Sequence, residues 1–537
     1  MNKQRIPIVD LFAGPGGLGE GFSSACDSNG NKIFQIRLSI EKDEVAHRTL
    51  TLRSLFRALA EAGKLDLYYQ YIQGRITHDA FYQHSEIIPF YNDAKKEARC
   101  LELGNDPEGE IDKLIGAAIS GHDDWILIGG PPCQAYSLAG RSRRINDPAF
   151  ATDPKHLLYR EYLRVIQQFK PTVFVMENVK GMLSAQHNGQ LIFKQIIKDL
   201  TNPAEGLEYE IRSFVVDADK KQLTPDQFTI CSEKYGIPQM RHRVILLGIA
   251  ISRANRPHEK LKEETPVSVE MVIGNLPKIR SKVSARTQGR GNKDSHEARL
   301  AILAQAESAV ADWQDQKRRD VVVLMKAAVK DAHSIESTGA AFISYADMVF
   351  PKVPKPLTDW YVDKNLHGVC QHEARGHMDT DLHRYLFASC FAAVGNQSPK
   401  LSQFPKALLP AHKNASADNI PFDDRFRVQV KDLPATTVVS HIAKDGHYYI
   451  HPDPAQCRSF SVREAARLQT FPDNYFFEGN KTQQYHQVGN AVPPFLAKQL
   501  AQSVADFLRA DVTTEGHPSA KQNDFFSVSA PLVATSA

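Results

Sequence analysis

Apolar and polar positions follow one another along this chain in two rhythms. Short β-branched runs that end at glycine or proline predict buried strands, and longer stretches with apolar residues three and four apart predict helices. Ile6 to Phe12 is the first such run, and the glycine-rich turn Ala13-Gly14-Pro15-Gly16-Gly17-Leu18-Gly19 follows it on the way into a helix. Phe34 to Ile40 predicts a second strand, which stops at Glu41. Residues 44 to 100 carry Leu, Tyr and Phe at helical spacing, so packing rather than chemistry is expected there. A third short strand is expected within Cys100 to Asp106. Trp125-Ile126-Leu127-Ile128 then breaks at Gly129-Gly130-Pro131-Pro132 and delivers Cys133 onto a loop. An amphipathic helix over Tyr159 to Phe169 leads to a buried strand over Thr172 to Met176, with Glu177-Asn178-Val179 at its carboxyl end. Strands are also expected over Glu208 to Val216 and Arg243 to Ala250.

From about Ile251 this alternation lapses, and some 200 residues richer in Pro, His and basic loops follow. Glu297 to Lys330 reads as helical, and Thr436 to Ile442 with His447 to His451 reads as a hairpin around Lys444-Asp445-Gly446. Regular patterning returns at Ser461, whose spacing to Glu464 is that of a capping box. Arg463 and Arg467 on that helix read either as exposed charges or as structural residues near a hinge. A last helix is expected from Phe495 to about Leu508. The fold class is therefore α/β, a Rossmann-like sheet with a second, smaller domain. Residues 1–250 are expected to form the first part of the sheet domain, 251–450 the second domain, 451–509 a segment returning to the first, and 510–537 a flexible tail.

Composition narrows the class without naming a function. The 537 residues carry a formal charge of +3, so any nucleic-acid binding must come from local basic surface. Arg280-Ser281-Lys282, Arg286 to Lys293 and Lys317-Arg318-Arg319 supply such clusters in the second domain, and Arg141-Ser142-Arg143-Arg144 opens a basic loop after Cys133. Seven scattered cysteines, none spaced as CxxC, argue against a disulfide framework and a structural zinc site. Met1 to Arg5 shows no apolar leader, and no run reaches the roughly 18 apolar residues of a membrane helix. A soluble, monomeric, cytoplasmic protein without membrane contact is expected.

The candidate chemistry lies where open α/β sheets place it, at the carboxyl ends of strands. Gly14, Gly16 and Gly19 fit the G-x-G-x-x-G turn that lets a backbone approach a nucleoside cofactor, and Glu41 stands where an acid can accept from ribose hydroxyls. This pattern fits NAD as well as S-adenosylmethionine. Cys133 alone reads most simply as a small buried residue, because free cysteine is commonly buried. Glu177 brings a carboxylate to the same rim. Arg241 and Arg243, two apart in an extended segment, are expected to point to one face.

Taken in order, DLFAGPGGLGEGF, Glu41, GGPPCQAYS, ENVKG, PQMRHR, REAARLQTFPD and GNAVPP resemble the motif series of the cytosine-C5 DNA methyltransferases of restriction-modification type. The resemblance spans residues 6 to about 505, with 251–450 standing apart. It implies a S-adenosylmethionine-dependent enzyme that methylates carbon 5 of a flipped-out cytosine in a specific duplex DNA sequence, alongside a cognate restriction endonuclease. Cys133 would then be the nucleophile that adds to carbon 6. Glu177, in a pocket dry enough to raise its pKa, would serve nitrogen 3 as acid, and Arg243, with Arg241 as a second, would hold the base and orient Glu177. Phe12, Ala13, Gly14, Gly16, Gly17, Leu18 and Glu41 would hold the cofactor, with Asn490 and Val492 beside them. No metal is expected. The basic loop would close over DNA while 251–450 reads its major groove. An NAD-dependent oxidoreductase would leave Cys133, Glu177 and Arg243 unexplained; a non-catalytic DNA binder would not need them, and an RNA methylating enzyme would share them.

Overall fold

A computed structural model of the chain describes residues 5–105, 109–132, 157–187, 190–217, 223–284, 294–310, 319–344, 350, 352–411 and 423–509. Nine strands matter here: β1 (Ile6–Leu11), β2 (Phe34–Glu41), β3 (Ala98–Cys100), β4 (Ile126–Gly129), β5 (Val173–Val179), β6 (Tyr209–Arg212), β7 (Thr229–Cys231), β8 (Gln239–Met240) and β9 (His242–Ala250). The central sheet runs β3-β2-β1-β4-β5-β9-β6, and β7 pairs with β9 off this path. The first five strands are mutually parallel, whereas β9 is antiparallel to β5, β6 and β7. This is the expected Rossmann-like arrangement, and its strand order reverses between β1 and β4, which opens a crevice at their carboxyl ends.

Both faces of the sheet are covered, which is why its strands read as continuous apolar runs rather than as alternating ones. Ile8, Ile128 and Val175 face one cluster, and Val9, Leu127 and Phe174 face the other. The helix Pro494–Arg509 lies against the helix Gly17–Ser24 so closely that a Cβ at Gly21 would overlap Ala497. The last helix thus completes the layer that the first motif begins.

Several predicted elements shift. The third strand is Ala98–Cys100, not a piece of Cys100 to Asp106, because pairing with Ser39–Glu41 ends before the chain turns at Gly104, where φ is 83°. Glu177, Asn178 and Val179 lie inside β5. β6 stops at Arg212 because the Ser213 hydroxyl donates to Gln227 and accepts from the Val215 and Val216 amides, bending the chain out of the sheet. The stretch Glu297 to Lys330 contains two helices, His296–Ala309 and Arg319–Asp331. No hairpin forms over 436–451; Ala435–Thr436 pairs in parallel with β8 and Ser440–Ala443 is a single 3₁₀ turn. The Tyr449 hydroxyl donates to Thr437 and accepts from Val439, so the two stretches meet through a side chain instead of a ladder. The helix Lys481–Asn490, capped by an Asn480–Gln483 box, is an element that the sequence pattern did not announce.

The helices Glu44–Glu61, Asp66–Ile72, His78–Tyr82 and Ile88–Glu97 fill residues 44–97, as their spacing predicts. Their aromatic side chains pack on one another, with Tyr71 and Phe81 stacked at 4.8 Å. In the second region, His296–Ala309, Arg319–Asp331 and Asp379–Gly395 enclose a separate apolar cluster around Leu303, Met325, Leu386 and Phe387. Among the described residues, no helix is long and apolar enough to cross a membrane.

Candidate active site

The register of the sheet levels four strand ends. Leu11 pairs with both Ile40 and Gly129, and Gly129 pairs with Met176, so the glycine turn, Glu41, the loop after β4 and Glu177 open onto one rim. This closeness requires a glycine at 129 and leaves little room at 130. A Cβ at Gly129 would overlap the Leu11 carbonyl, and one at Gly130 would come within 3.0 Å of Glu177 Oε2.

Glu177 is met from β9, the antiparallel neighbour of β5. Arg243 Nε lies 2.9 Å from Glu177 Oε1, and both side chains are 14% exposed. Arg243 Nη1 also donates to the His242 carbonyl at 2.9 Å, which fixes the guanidinium plane. The next residue on β5 anchors the loop, since Asn178 Nδ2 donates to the Pro131 carbonyl at 3.1 Å. The chain is therefore tied down beside Glu177 two residues before Cys133. Cys133 itself lies outside the described residues, as do the loop with Arg141, Arg143 and Arg144, the basic run Arg286 to Lys293, and the tail 510–537.

The crevice at β1 has the form of a cradle. Phe12 and Gly14 adopt left-handed φ values of 58° and 57°, and nothing lies within 4 Å of where a Gly14 Cβ would stand. Glu41 Oε2 accepts from the Gly14 amide at 2.8 Å and Oε1 from the Asp43 amide at 2.8 Å, so the acid shapes the turn. The Ala13 amide donates to Ile40, and the Leu18 side chain points into the core. Gly17 backs onto Val492, whose carbonyl would overlap a Cβ there, while Asn490 is exposed at the end of its helix. Phe12, Ala13, Gly14, Gly16, Gly17, Leu18, Glu41 and Val492 are thus brought to one place. Beneath them Asp10 is fully buried, and burial pushes its carboxyl up to about 8, with the Glu41 charge adding to the rise and Arg57 opposing it.

Residues 83–506 match the family model described as C-5 cytosine-specific DNA methylase. The chain belongs to the C-5 cytosine-specific DNA methylase family. The type II methyltransferase M.Bpa9945I of Bacillus paralicheniformis is 30% identical over 93% of this chain and 99% of its own length. The type II methyltransferase M.AgeI of Thalassovita gelatinovora is 27% identical over 71% and 82% respectively. The DNA (cytosine-5-)-methyltransferase M.ApeKI of Aeropyrum pernix is 25% identical over 75% and 85%. A solved structure, the Entamoeba histolytica methyltransferase EhMeth, aligns over 94% of this chain at 12% identity with a TM-score of 0.40.

As a member of this family the protein is a S-adenosylmethionine-dependent DNA (cytosine-5-)-methyltransferase. The cradle fits that cofactor: an open backbone turn at Gly14, an acid at the end of β2 and the Val492 backbone closing in behind Gly17. Two expectations about this methylase change. Arg241 and Arg243 do not serve a common face, because Arg241 is 3% exposed and spends its guanidinium on the carbonyls of Val438 at 2.8 Å and Gly489 at 3.4 Å. Between them the chain passes from the short β8 to β9, which breaks the strict alternation. Arg463 and Arg467 are fully buried, so the exposed-charge reading fails. Arg463 donates to the carbonyls of Cys370, Pro472 and Tyr475, and Arg467 forms a two-pronged pair with Asp473 at 2.8 Å. Gln239 and Gln469 were missed. They bond to each other, and Gln469 also donates to Val488 and Ala491, fixing the turn before Val492. Their only sequence signal is a glutamine inside each of the motifs PQMRHR and REAARLQTFPD.

Proposed function

We propose that this methylase acts on a cytosine flipped out of a specific duplex DNA sequence, through a covalent bond between Cys133 and carbon 6. Carbon 5 is a poor nucleophile until a thiolate adds to carbon 6 and shifts an electron pair toward it. That shift needs a proton at nitrogen 3, which Glu177 delivers while Arg243 orients the carboxyl and holds the base carbonyl. S-adenosylmethionine, when bound, supplies the electrophilic methyl group. Loss of the carbon-5 proton to a base or water then restores the ring double bond and releases the Cys133 thiolate. Phe12, Ala13, Gly14, Gly16, Gly17, Leu18, Glu41, Asn490 and Val492 would hold the cofactor. Arg241, by its contacts, supports the site rather than touching the base.

The observation that carries this reading is the Arg243–Glu177 pair at 2.9 Å beside the anchored Pro131. A stacked base cannot reach such a rim, so extrusion at a cost of a few kcal/mol is part of the reading. Residues 251–450 would read the duplex, but not through Arg280-Ser281-Lys282, because Arg280 is buried against Asp294 and Lys282 is paired with Glu373; the type II relatives support a partner endonuclease. Base-resolution mapping of 5-methylcytosine in the DNA of a host expressing the chain tests substrate and sequence together. Cys133→Ser should abolish transfer yet keep cofactor binding, and Glu177→Gln should slow transfer by about 10² to 10⁴. Substantial transfer by the serine variant would sink the covalent route, and an unchanged rate in the glutamine variant would remove Glu177 from the acid role.

A further inference from the structure

On the β7–β9 edge, Cys231 of β7 stands directly opposite His242 of β9. Opposed residues in an antiparallel pair project to the same face with Cβ atoms about 5 Å apart, within reach of one small ion. The 3₁₀ turn Ser232–Tyr235 then folds Glu233 back over them, and Glu233 Oε1 lies 2.9 Å from His242 Nε2. A sulfur, a carboxylate oxygen and an imidazole nitrogen gather there within 4.8 Å of one another. Glu233 Oε2 is buried and has no hydrogen-bond partner among the described residues, although a buried carboxylate oxygen normally has one.

We propose that Cys231, Glu233 and His242 form a transition-metal site of the zinc class, clipping β7 to β9 behind Arg243. A mixed S, N, O set suits Zn²⁺ and excludes Mg²⁺ or Ca²⁺, which want oxygen ligands alone. Three protein ligands leave a fourth tetrahedral position to water, and the half-exposed His242 side chain leaves an entry path. The nearby cations do not close that path: Lys234 is drawn to Glu263 at 3.2 Å, and Lys180 is exposed to solvent. Binding replaces the thiol proton of Cys231, which passes to solvent, and the Glu233–His242 hydrogen bond gives way to two bonds to the ion. Neither the cofactor cradle nor the Glu177 rim shares a side chain with it.

Co²⁺ reports such a site, because a thiolate ligand gives a near-ultraviolet charge-transfer band and tetrahedral geometry gives strong visible bands. The full-length protein, stripped with chelator, should take up one equivalent of Co²⁺ with both signatures and lose them to one equivalent of Zn²⁺. Cys231→Ser should lose the charge-transfer band, whereas Cys133→Ser, Cys26→Ser and Cys100→Ser should keep it. Glu233→Gln preserves the shape of the turn and should weaken Co²⁺ at least tenfold, which keeps the test open should the cysteine variant fold poorly. Absence of the bands in the unaltered protein, their survival in Cys231→Ser, or unchanged affinity in Glu233→Gln would overturn the site.

Discussion

Two regions of this methylase use charged residues in opposite ways. At the rim, Arg243 and Glu177 face each other across two strands, each 14% exposed, with atoms left over for a ligand. In the hub formed by 456–475, Arg458, Arg463 and Arg467 are wholly buried and every bond they make is to the protein itself. Arg458 closes on Glu464 through both of its terminal nitrogens at 2.7 Å, and Glu464 is also the acid of the capping box. The difference teaches how to tell a working charge from a structural one: the hub saturates its donors, and the rim does not.

The same substitution at both places should therefore separate stability from activity. Arg467→Ala leaves Asp473 buried without its partner and should cost about 3–5 kcal/mol, read as a shift in the urea midpoint. A loss below about 1 kcal/mol would mean that water replaces the pair and that the hub is no stricter than the surface. Arg243→Ala should leave that midpoint almost unmoved while slowing methyl transfer about a hundredfold or more, because Glu177 loses its orienting partner. Equal losses of stability and rate would erase the contrast between rim and hub.

The cradle lies between these extremes. Gly17→Ala drives a methyl group toward the Val492 carbonyl, and such overpacking costs about 1–3 kcal/mol. Isothermal titration with S-adenosylmethionine should show at least tenfold weaker binding; unchanged affinity would mean that the last helix can retreat without disturbing the turn. A further effect is one of pH. Asp10 gives up its proton near pH 4 in the unfolded chain but only near about 8 in the folded one, so the folded state holds the extra proton between these values. Stability should fall as pH rises through that window, and Asp10→Asn should flatten the slope in urea midpoints taken from pH 5 to pH 8. Parallel curves for the two proteins would show that the buried acid is not the cause.

Much of the rim was legible without coordinates. A strand interrupted by Gly14 and Gly16, a second ending in Glu41, and a third breaking into Gly129-Gly130-Pro131-Pro132 are local patterns with local causes, and the sheet follows from them. The hub was not legible, since a helix carrying Arg463, Glu464 and Arg467 looks amphipathic until one sees that both its faces are covered. The hairpin expected over 436–451 failed for a related reason. Its turn residues are present, but Ala435–Thr436 finds a better partner in β8, about 200 residues earlier.

The sequence by itself determined the strand and turn grammar of the cofactor half and the order of a thiol after one apolar run, an acid closing the next and an arginine opening a later one, because each depends on residues within a few positions of one another. Only the tertiary structure decided which arginine meets Glu177 and that Arg241, Arg463 and Arg467 serve the protein instead. It alone set Cys231 opposite His242, where no CxxC spacing would have pointed to an ion. Those outcomes depend on register between strands and on burial by segments hundreds of residues away, and neither quantity is encoded in any short stretch of the chain.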